Sequence, residues 1–346
     1  MTLKQFSEGI ESIPINTSWY LADIAEAFGK QQLFTRQSPQ LLKTLREHAL
    51  IESAMSSNRI EGVEVEKARV KPVILGKTHP RDRNEEEVRA YREALKLIHA
   101  KGVALPVSQD TVLKLHRISR GEIWDAGKYK DKDGDIIERL SDGKVRVRFK
   151  TVTAKKTPEC MDKLVKDWGR CLLEKWVPPL IAVAAFNLDF LCVHPFRDGN
   201  GRVSRLLLLL QFYHLGFEVG RYISIERVIE ENKDRYYETL EQSSQGWRRG
   251  EHDPWPYINY VLFILKTAYK EFEERVGQVK SPRGAKTELI ERAACGFQGS
   301  FTVTDLERTC PGVSGDMIRK VLRNLKEKGK FECLGRGPGA PWKKRG

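Results

Sequence analysis

Apolar residues recur every three or four positions along most of this chain. In Leu41–Ser57 and Glu85–His99 the repeat places apolar side chains on one face of each segment, as an amphipathic helix requires. The same repeat predicts helices in Thr111–Ser119, Cys160–Glu174, Leu180–Cys192 and Tyr257–Val276. The pattern therefore predicts a mainly α fold.

One stretch alternates between apolar and basic residues instead. Val145–Phe149 follows this period of two, and Ile136–Leu140 precedes it across the turn-forming residues Ser141–Lys144. Two such runs around an Asp-Gly pair predict a β-hairpin. A lone hairpin in a helical domain is either a functional flap or a packed surface ribbon, and the pattern leaves both interpretations open.

The end of the chain has a pattern of its own. Residues 277–284 contain Gly, Ser and Pro and predict a linker. In 285–346 we expect three short helices and then two short strands, the order of a small winged helix-turn-helix domain. The expected elements are Thr287–Ala294, a strand at 302–304 with Thr304 as N-cap of Asp305–Thr309, a helix from the N-cap Ser314 to Lys328 with Gly329 as C′ residue, and strands in Lys330–Leu334 and Ala340–Lys344 around Gly335–Gly339.

Composition narrows the partners. The 346 residues carry a net charge of +13, and about half of the excess lies in Ser281–Gly346, with 14 Lys and Arg against 7 Asp and Glu. This charge favours acidic partners such as nucleotides, nucleic acid or acidic proteins. The six cysteines include no Cys-x-x-Cys pair, which argues against a disulfide framework and favours the reducing cytoplasm. We expect no membrane partner, because no apolar run reaches spanning length and the first residues lack the apolar region of a secretory signal.

The segment with the most chemical content is His194–Arg205, which reads His-Pro-Phe-Arg-Asp-Gly-Asn-Gly-Arg-Val-Ser-Arg. Its glycines allow a tight turn just before an apolar helix, so free N–H groups and the positive end of the helix dipole can face an anion. Arg202 and Arg205 lie three residues apart on one helix face, where both can reach that anion. A histidine, a carboxylate suited to Mg²⁺ and two arginines around one phosphate site indicate phosphoryl or nucleotidyl transfer.

This segment resembles the Fic family of protein AMP-transferases, whose motif is His-Pro-Phe-x-(Asp/Glu)-Gly-Asn-Gly-Arg-x-x-Arg, and it meets every fixed position. Gly127-Lys128-Tyr129 and the hairpin are similar to the family's flap region, and Glu231-Asn232 and Tyr236-Tyr237 to its nucleotide-side segment. The resemblance implies an all-helical Fic fold with a β-hairpin flap. It divides the chain into an N-terminal helical extension at 1–105 and a catalytic core at 106–276.

The resemblance also implies roles for individual residues. His194 would be the base that activates a target hydroxyl, and Asp198 would bind Mg²⁺. Arg202 and Arg205 would neutralise the pyrophosphate and the γ-phosphate, and the hairpin would hold the target by strand addition. The residues expected to bind ATP are Arg197, Asp198, Gly199, Asn200, Gly201, Arg202, Arg205, Asn232 and Tyr237.

A second segment, Ser57-Asn58-Arg59-Ile60-Glu61-Gly62, matches the family's inhibitory pattern (Ser/Thr)-x-x-x-Glu-(Gly/Asn) at Ser57, Glu61 and Gly62. The implied mechanism is electrostatic. Glu61 would pair with Arg205 and occupy the place of the γ-phosphate, so that ATP binds unproductively.

The chain is therefore predicted to be a nucleotidyltransferase that transfers AMP from ATP, with Mg²⁺ as cofactor, to a Ser, Thr or Tyr hydroxyl of a protein target or of itself, and that Glu61 inhibits. Three alternatives remain open: removal of AMP from a modified protein, transfer of phosphate, UMP or phosphocholine, and a DNA-binding regulator whose Fic domain senses nucleotide. Gly201 argues against phosphate transfer, because that branch of the family carries Lys at this position. Whether the inhibition acts within one chain or across a homodimer is also open.

Overall fold

A computed structural model describes residues 1–10, 12–35, 39–121, 123–139, 145–277, 285–297, 299–310, 313–335, 337 and 339–345. They form two compact units, Met1–Val276 and Gly277–Gly346. The structure is 69% helical, with small two-stranded sheets, which confirms the mainly α fold class. Among the described residues, no helix is both long and apolar enough to cross a bilayer.

The larger unit consists of helices and one antiparallel hairpin. Its elements are α1 (Thr2–Ser7), α2 (Ile15–Thr35), α3 (Pro39–Ile60), α4 (Lys67–Ile74), α5 (Arg83–Lys101), α6 (Gln109–Arg120), β1 (Ile136–Arg139), β2 (Val145–Phe149), α7 (Thr157–Glu174), α8 (Pro179–Val193), α9 (Asn200–His214), α10 (Ile225–Glu231), α11 (Lys233–Ser244) and α12 (Trp255–Gly277). Short 3₁₀ turns lie at Gly102–Ala104, Ala154–Lys156, Val219–Arg221 and Trp247–Arg249.

The core of this unit is built around α8 and α9. Every residue from Leu180 to Val193 in α8 is buried, and so is every residue from Arg202 to Tyr213 in α9. Since both helices are apolar around most of their circumference, they must be surrounded by other helices, and α8 packs against α1, α7, α9 and α11. The loop between α8 and α9 contains the His194 motif, so the densest part of the core fixes that loop.

The predicted hairpin is present. Ile137 lies opposite Val147, and Arg139 lies opposite Val145, in an antiparallel pair with an irregularity at Ile136. The side chains of Ile137 and Val147 are exposed. The predicted turn at 141–144 and the last residue of the predicted first strand, Leu140, lie outside the described residues.

The smaller unit has its own core. Its elements are α13 (Ala285–Gly296), α14 (Val303–Thr309), α15 (Gly315–Glu327), β3 (Phe331–Cys333) and β4 (Trp342–Lys344), with β3 and β4 antiparallel. The buried apolar residues are contributed by all of these elements and by Phe301, which pairs with Trp342. Most of the predicted linker, 278–284, and two residues of the predicted loop between the strands, Arg336 and Pro338, are outside the described residues.

One local prediction is wrong. The sequence predicts a strand at 302–304 and Thr304 as the N-cap, but α14 begins at Val303 and its N-cap is Thr302. Thr302 Oγ1 accepts from the Asp305 N–H at 3.2 Å, and Asp305 Oδ2 accepts from the Thr302 N–H at 2.9 Å. This reciprocal capping box satisfies two free donors and outweighs the β preference of Val303. The cap at Ser314 is confirmed.

Candidate active site

The motif loop begins where α8 ends. His194 has a φ of +52°, and its N–H donates to the Phe190 carbonyl at 3.0 Å, which closes the helix. A positive φ at a non-glycine residue is uncommon and must be held by its surroundings. The loop then turns at Gly199, where φ is +84°, and α9 starts at Asn200.

The Asn200 side chain shapes this loop. Its Oδ1 accepts from the Phe196 N–H at 2.9 Å, and its Nδ2 donates to the Phe196 carbonyl at 2.8 Å. Because the buried amide uses its acceptor and one donor in this way, it organises the backbone that faces an anion. The expected role of Asn200 in binding ATP stays a prediction.

His194 lines a cavity of about 400 Å³. Burial and the nearby Lys130 ammonium lower the pKa of His194 to about 4, so the imidazole is neutral at pH 7. Its Nδ1 lies 3.4 Å from the Leu191 carbonyl oxygen. When Nδ1 carries the proton it can donate to that carbonyl, which leaves Nε2 as the acceptor.

Arg205 is held by the end of α3. Its Nε donates to Ser57 Oγ at 2.9 Å, and its Nη2 donates both to the Ser57 carbonyl at 2.9 Å and to Glu61 Oε1 at 2.7 Å. Glu61 lies in the turn directly after α3, where Gly62 has a φ of +80°. Burial opposes the charge of Arg205, but Glu61 and Tyr91 outweigh it and raise its pKa further above the ordinary value. Its Nη1 is buried without a hydrogen-bond partner among the described residues.

Glu61 lies directly against the glycine turn. A Cβ atom built on Gly201 would come within 2.3 Å of Glu61 Oε1 and 3.2 Å of Arg205 Nη1. The absence of a side chain at position 201 therefore lets a carboxylate oxygen reach the N-terminal turn of α9, where an anion is favoured. Glu61, Gly201 and His194 line the same cavity.

The other motif arginine lies in a buried cluster of charges. Arg202 Nη1 is 2.7 Å from Glu87 Oε2, and Arg202 Nη2 is 3.6 Å from Asp198 Oδ1. Asp198 Oδ2 is 2.6 Å from Arg120 Nη1, and Asp198 Oδ1 accepts from the Gly199 N–H at 2.6 Å. Burial disfavours the ionised carboxylate, but Arg120 and Arg202 outweigh it and hold the pKa of Asp198 below its ordinary value.

The donor set around Asp198 can be compared with the needs of Mg²⁺. Among the described residues, no group of three or more His, Cys, Asp or Glu side chains could hold a metal. Mg²⁺ is commonly bound by one carboxylate together with substrate phosphates and water. Asp198 is ionised and its side chain is 51% exposed, so it suits that arrangement once its contact with Arg120 opens.

The hairpin and α11 form the walls of the cavity. Lining residues from them are Ile136, Ile137, Arg148, Phe149, Tyr236, Tyr237, Leu240, Glu241 and Ser244. Glu241 joins the two walls, because it pairs with Arg148 and, at 3.3 Å, with Arg146 of β2. The cavity is therefore a mainly apolar cleft that His194 also lines, with the ion pairs of Glu241 linking its two walls.

Residues 106–212 match the family model described as the Fic/DOC family. The matched residues contain α8, the motif loop and α9 as far as Phe212, whereas Glu61 and α11 lie outside the match. The chain contains a domain of the Fic/DOC family.

The Fic domain and its surroundings are similar to curated proteins at modest identity. "Protein adenylyltransferase Fic" of Nematostella vectensis is 24% identical over 245 residues, which cover 67% of this chain and 51% of that protein. "Protein adenylyltransferase fic-1" of Caenorhabditis elegans is 28% identical over 180 residues, which cover 51% of this chain and 30% of that protein. The chain thus spans about half of the length of the first relative and less than a third of the second.

Solved structures show the same fold. A Fic family protein from Desulfovibrio desulfuricans superposes with a TM-score of 0.63 at 23% identity, covering 98% of both chains. Fic-1 from C. elegans superposes with a TM-score of 0.60 at 19% identity, covering 76% of this chain and 74% of that one.

The structure brings together some of the predicted residues of the Fic site and leaves others outside its cavity. Tyr237 lines the cavity, and its hydroxyl donates to the Ile60 carbonyl at 3.3 Å. Asn232 is not among the lining residues, and its Nδ2 donates to the Val228 carbonyl at 2.8 Å. Arg197 also lies outside the lining, where it pairs with Asp131 at 2.9 Å.

Three residues around the Fic motif were not predicted from the sequence. Glu87 holds Arg202, Arg120 holds Asp198, and Lys130 Nζ donates to the Val193 carbonyl at 3.3 Å beside His194. Burial lowers the pKa of Lys130 to about 8, although Asp133 and Asp135 act in the opposite direction. A buried arginine needs an acidic partner, but that requirement does not identify Glu87 among the acidic residues of the sequence.

Proposed function

We propose that this chain is a protein adenylyltransferase, which transfers AMP from ATP to a Ser, Thr or Tyr hydroxyl of a protein and is inhibited by its own Glu61. The observation that carries the proposal is that Glu61, which lines the cavity together with His194 and Gly201, also pairs with the buried Arg205 at 2.7 Å. The curated relatives from N. vectensis and C. elegans, both named protein adenylyltransferases, support AMP transfer as the reaction.

In this proposal His194 is the general base. Its neutral Nε2 takes the proton of the target hydroxyl as the hydroxyl oxygen forms a bond to the α-phosphorus of ATP. The bond from the α-phosphorus to the bridging oxygen breaks, and pyrophosphate leaves with its electron pair. A pKa of His194 near 4 keeps the base free at neutral pH, although it also weakens the base.

The phosphates would be bound by the start of α9. The N–H groups of the Gly199–Gly201 turn, the helix dipole and the Arg205 guanidinium are the positive groups at this end of the cavity. Arg205 Nη1, buried without a partner among the described residues, is a free donor for a phosphate oxygen. Mg²⁺ held by Asp198 would supply further charge neutralisation on the phosphates.

In this proposal, Glu61 inhibits the reaction by pairing with one of these positive groups, the Arg205 guanidinium. A carboxylate bonded to Arg205 and lying against Gly201 fills the space that a terminal phosphate would need. Like charges also repel, so ATP must displace Glu61 or bind away from the reactive position. Ser57 holds Arg205 from the other side through its hydroxyl and its carbonyl.

The target would bind along the hairpin. An extended segment of the target would add to an edge of β1 or β2, beside the cavity that residues of both strands line together with His194. The exposed pair Ile137 and Val147 offers an apolar surface for the side chains of such a segment.

The test is transfer of label from ATP, labelled at the α-phosphate, to protein. Loss of a charge-assisted hydrogen bond of about 1.5–3 kcal/mol predicts that Glu61→Gly raises the labelling rate by about tenfold or more. The double variant Glu61→Gly/His194→Ala should lose the label, because the base is missing. Absence of labelling by Glu61→Gly on itself and on lysate proteins, while it still binds ATP, would contradict the proposal.

The alternatives are separated by the same protein preparations. If Glu61 orients a water molecule, the wild-type chain removes AMP from a pre-modified protein and Glu61→Gly does not. Labelled UTP and CDP-choline, tested beside ATP, separate UMP and phosphocholine transfer from AMP transfer.

A second function, DNA binding by the smaller unit, is favoured by one observation. In α15 the face opposite the buried Ile318, Val321, Leu322 and Leu325 is basic, with Arg319, Lys320, Arg323 and Lys326 all exposed. Basic side chains on one face of a helix suit phosphate contact. α15 begins directly after its N-cap Ser314, and the first N–H groups of this helix are further donors for a phosphate.

We expect the full-length chain to bind labelled duplex DNA in low salt, with affinity that falls as salt rises. The double variant Arg319→Glu/Arg323→Glu should weaken binding by about tenfold or more, since it places two negative charges against phosphates. Arg170→Glu/Lys166→Glu, which changes an exposed face of α7 by the same charge, is the control. Equal binding by both variants would remove the basis for assigning DNA binding to α15.

A further inference from the structure

Arg120, the last residue of α6, is only 3% exposed and lies among carboxylates. Its Nη1 is 2.6 Å from Asp198 Oδ2 and 3.6 Å from Glu87 Oε1, and its Nη2 is 3.5 Å from Asp125 Oδ1. Its Nε has no hydrogen-bond partner among the described residues. The guanidinium is thus placed with one short contact, and that contact is to the carboxylate expected to bind a cation.

Asp198 is surrounded by positive charge. Besides Arg120, Arg202 Nη2 lies 3.6 Å from its Oδ1 and Arg83 Nη2 lies 3.9 Å from its Oδ2. A divalent cation that approached this carboxylate without any rearrangement would meet three guanidinium groups at close range. Coulomb repulsion at such distances is large in a partly buried site, so the contact to Arg120 opposes the binding of a cation at Asp198.

Arg120 also has other partners nearby. Glu87 and Asp125 lie within 4 Å of the two ends of its guanidinium, so a small movement keeps the buried charge paired after Asp198 turns away. This matters because an unpaired buried arginine would be costly. The side chain of Asp198 itself is half exposed, so a cation can reach it from solvent.

We infer that Arg120 and a divalent cation compete for the Asp198 carboxylate, so that Arg120 sets the cation concentration this site requires. The inference rests on the proposed function in one respect, namely that a divalent cation belongs at Asp198. It assigns Arg120 as a positioning residue that holds Asp198 when the cation is absent and releases it when the cation binds.

The experiment measures binding of Mn²⁺ alone, by electron paramagnetic resonance of the free ion, to the full-length chain without nucleotide. Arg120→Met removes the competing charge and keeps much of the side-chain volume. We expect its Kd for Mn²⁺ to fall about tenfold below that of the wild type, the size of effect that one charge-assisted contact produces. Arg120→Lys, which keeps the charge without the planar fork, should bind with an affinity between the two.

Two controls make the result specific. Arg117→Met removes an exposed arginine one turn earlier on α6 and should leave Mn²⁺ binding at the wild-type level. Adding Asp198→Asn to Arg120→Met should abolish the gain. Circular dichroism identifies any variant that has not folded, and if Arg120→Met is such a variant, Arg120→Lys against wild type decides the question.

The inference is overturned if the Arg120 variants bind Mn²⁺ no more tightly than wild type, or if the gain survives Asp198→Asn. Failure of the proposed reaction is a separate result. Absence of AMP transfer together with tighter Mn²⁺ binding would contradict the proposed reaction and leave the competition intact.

Discussion

At the scale of single residues, the contact between Arg205 and Glu61 has two consequences. It completes a buried ion pair, and in the proposed function it also blocks a phosphate site. Arg205 is 3% exposed and could not be left without an acidic or polar partner. Ser57 supplies neutral acceptors and Glu61 the charge. In the proposed mechanism, a phosphate group of ATP would replace that charge when Glu61 is removed.

The pH dependence of the proposed AMP transfer should be determined by the protonation of the His194 imidazole. Since its pKa is lowered to about 4, it stays deprotonated down to about pH 5, whereas a histidine with the ordinary value near 6.5 would lose about tenfold in its basic form by pH 5.5. With saturating ATP and Mg²⁺, the labelling rate of Glu61→Gly should therefore change by less than about twofold between pH 7.5 and pH 5.5. A rate that falls with a midpoint near pH 6.5 would contradict the assignment of a buried, neutral base.

How far the sequence predicts the site differs from residue to residue. Residues within the motif had to lie near one another, because they are close in sequence, in one short loop and the first turns of the helix that follows it. Arg120 and Glu87 lie 78 and 115 positions before their partners Asp198 and Arg202, and no local pattern announces contacts over such distances. They follow from the way α5 and α6 pack against α9.

At the scale of elements, strongly periodic segments were predicted within a few residues. The predicted Leu180–Cys192 is α8 at Pro179–Val193, and the predicted Glu85–His99 is α5 at Arg83–Lys101. The bounds of α2 were not predicted from the sequence. Its apolar residues Ile15, Trp19 and Leu33 are exposed, so the apolar positions do not mark a single buried face. The cap of α14 was misplaced because side-chain hydrogen bonds at Thr302 decide where that helix begins.

One contact between elements offers a clear test of stability. Asp189, buried in α8, accepts from the Thr2 N–H at 2.7 Å, the Leu3 N–H at 3.0 Å and Trp247 Nε1 at 2.6 Å. It thereby joins the start of α1 and the turn after α11 to the helix that ends at His194. Asp189→Asn replaces an acceptor oxygen with a donor, so at least one of these donors loses its partner.

Asp189→Asn should therefore lower the free energy of unfolding by roughly 2 kcal/mol, the usual cost of an unsatisfied buried donor. Asp162→Asn, on the exposed face of α7, should change it by less than about 0.5 kcal/mol. Urea unfolding followed by circular dichroism measures both. Equal stability of the two variants would show that α1 is not held to α8 in this way.

At the scale of the whole molecule, His99, His116 and His194 should together make the larger unit less stable in acid. Burial lowers the pKa of His99, His116 and His194 to about 4 in each case, assisted by Arg221 beside His99 and Lys130 beside His194. In the unfolded chain a histidine takes up its proton near pH 6.5. Between these values the unfolded state binds more protons than the folded state, so the free energy of unfolding must fall as the pH falls.

The expected loss can be given a size and a window. Stability should be constant from pH 8 to about 7 and should then decrease, by roughly 2 kcal/mol for each histidine at pH 5. Carboxylates whose pKa is lowered, such as Asp198, protonate at lower pH and add their loss below this window. Urea unfolding at half-unit steps from pH 8 to pH 5 measures the curve.

The variant His99→Gln isolates one contribution, because glutamine keeps an acceptor for the Tyr213 hydroxyl, which lies 2.9 Å from His99 Nδ1. The loss of stability between pH 7 and pH 5 should be smaller in this variant by roughly 2 kcal/mol, whatever its stability at pH 8. A wild-type curve that stays flat to pH 5 would mean that the imidazoles take up protons in the folded protein. The neutral state of His194 on which the proposed proton transfer depends would then be lost as well.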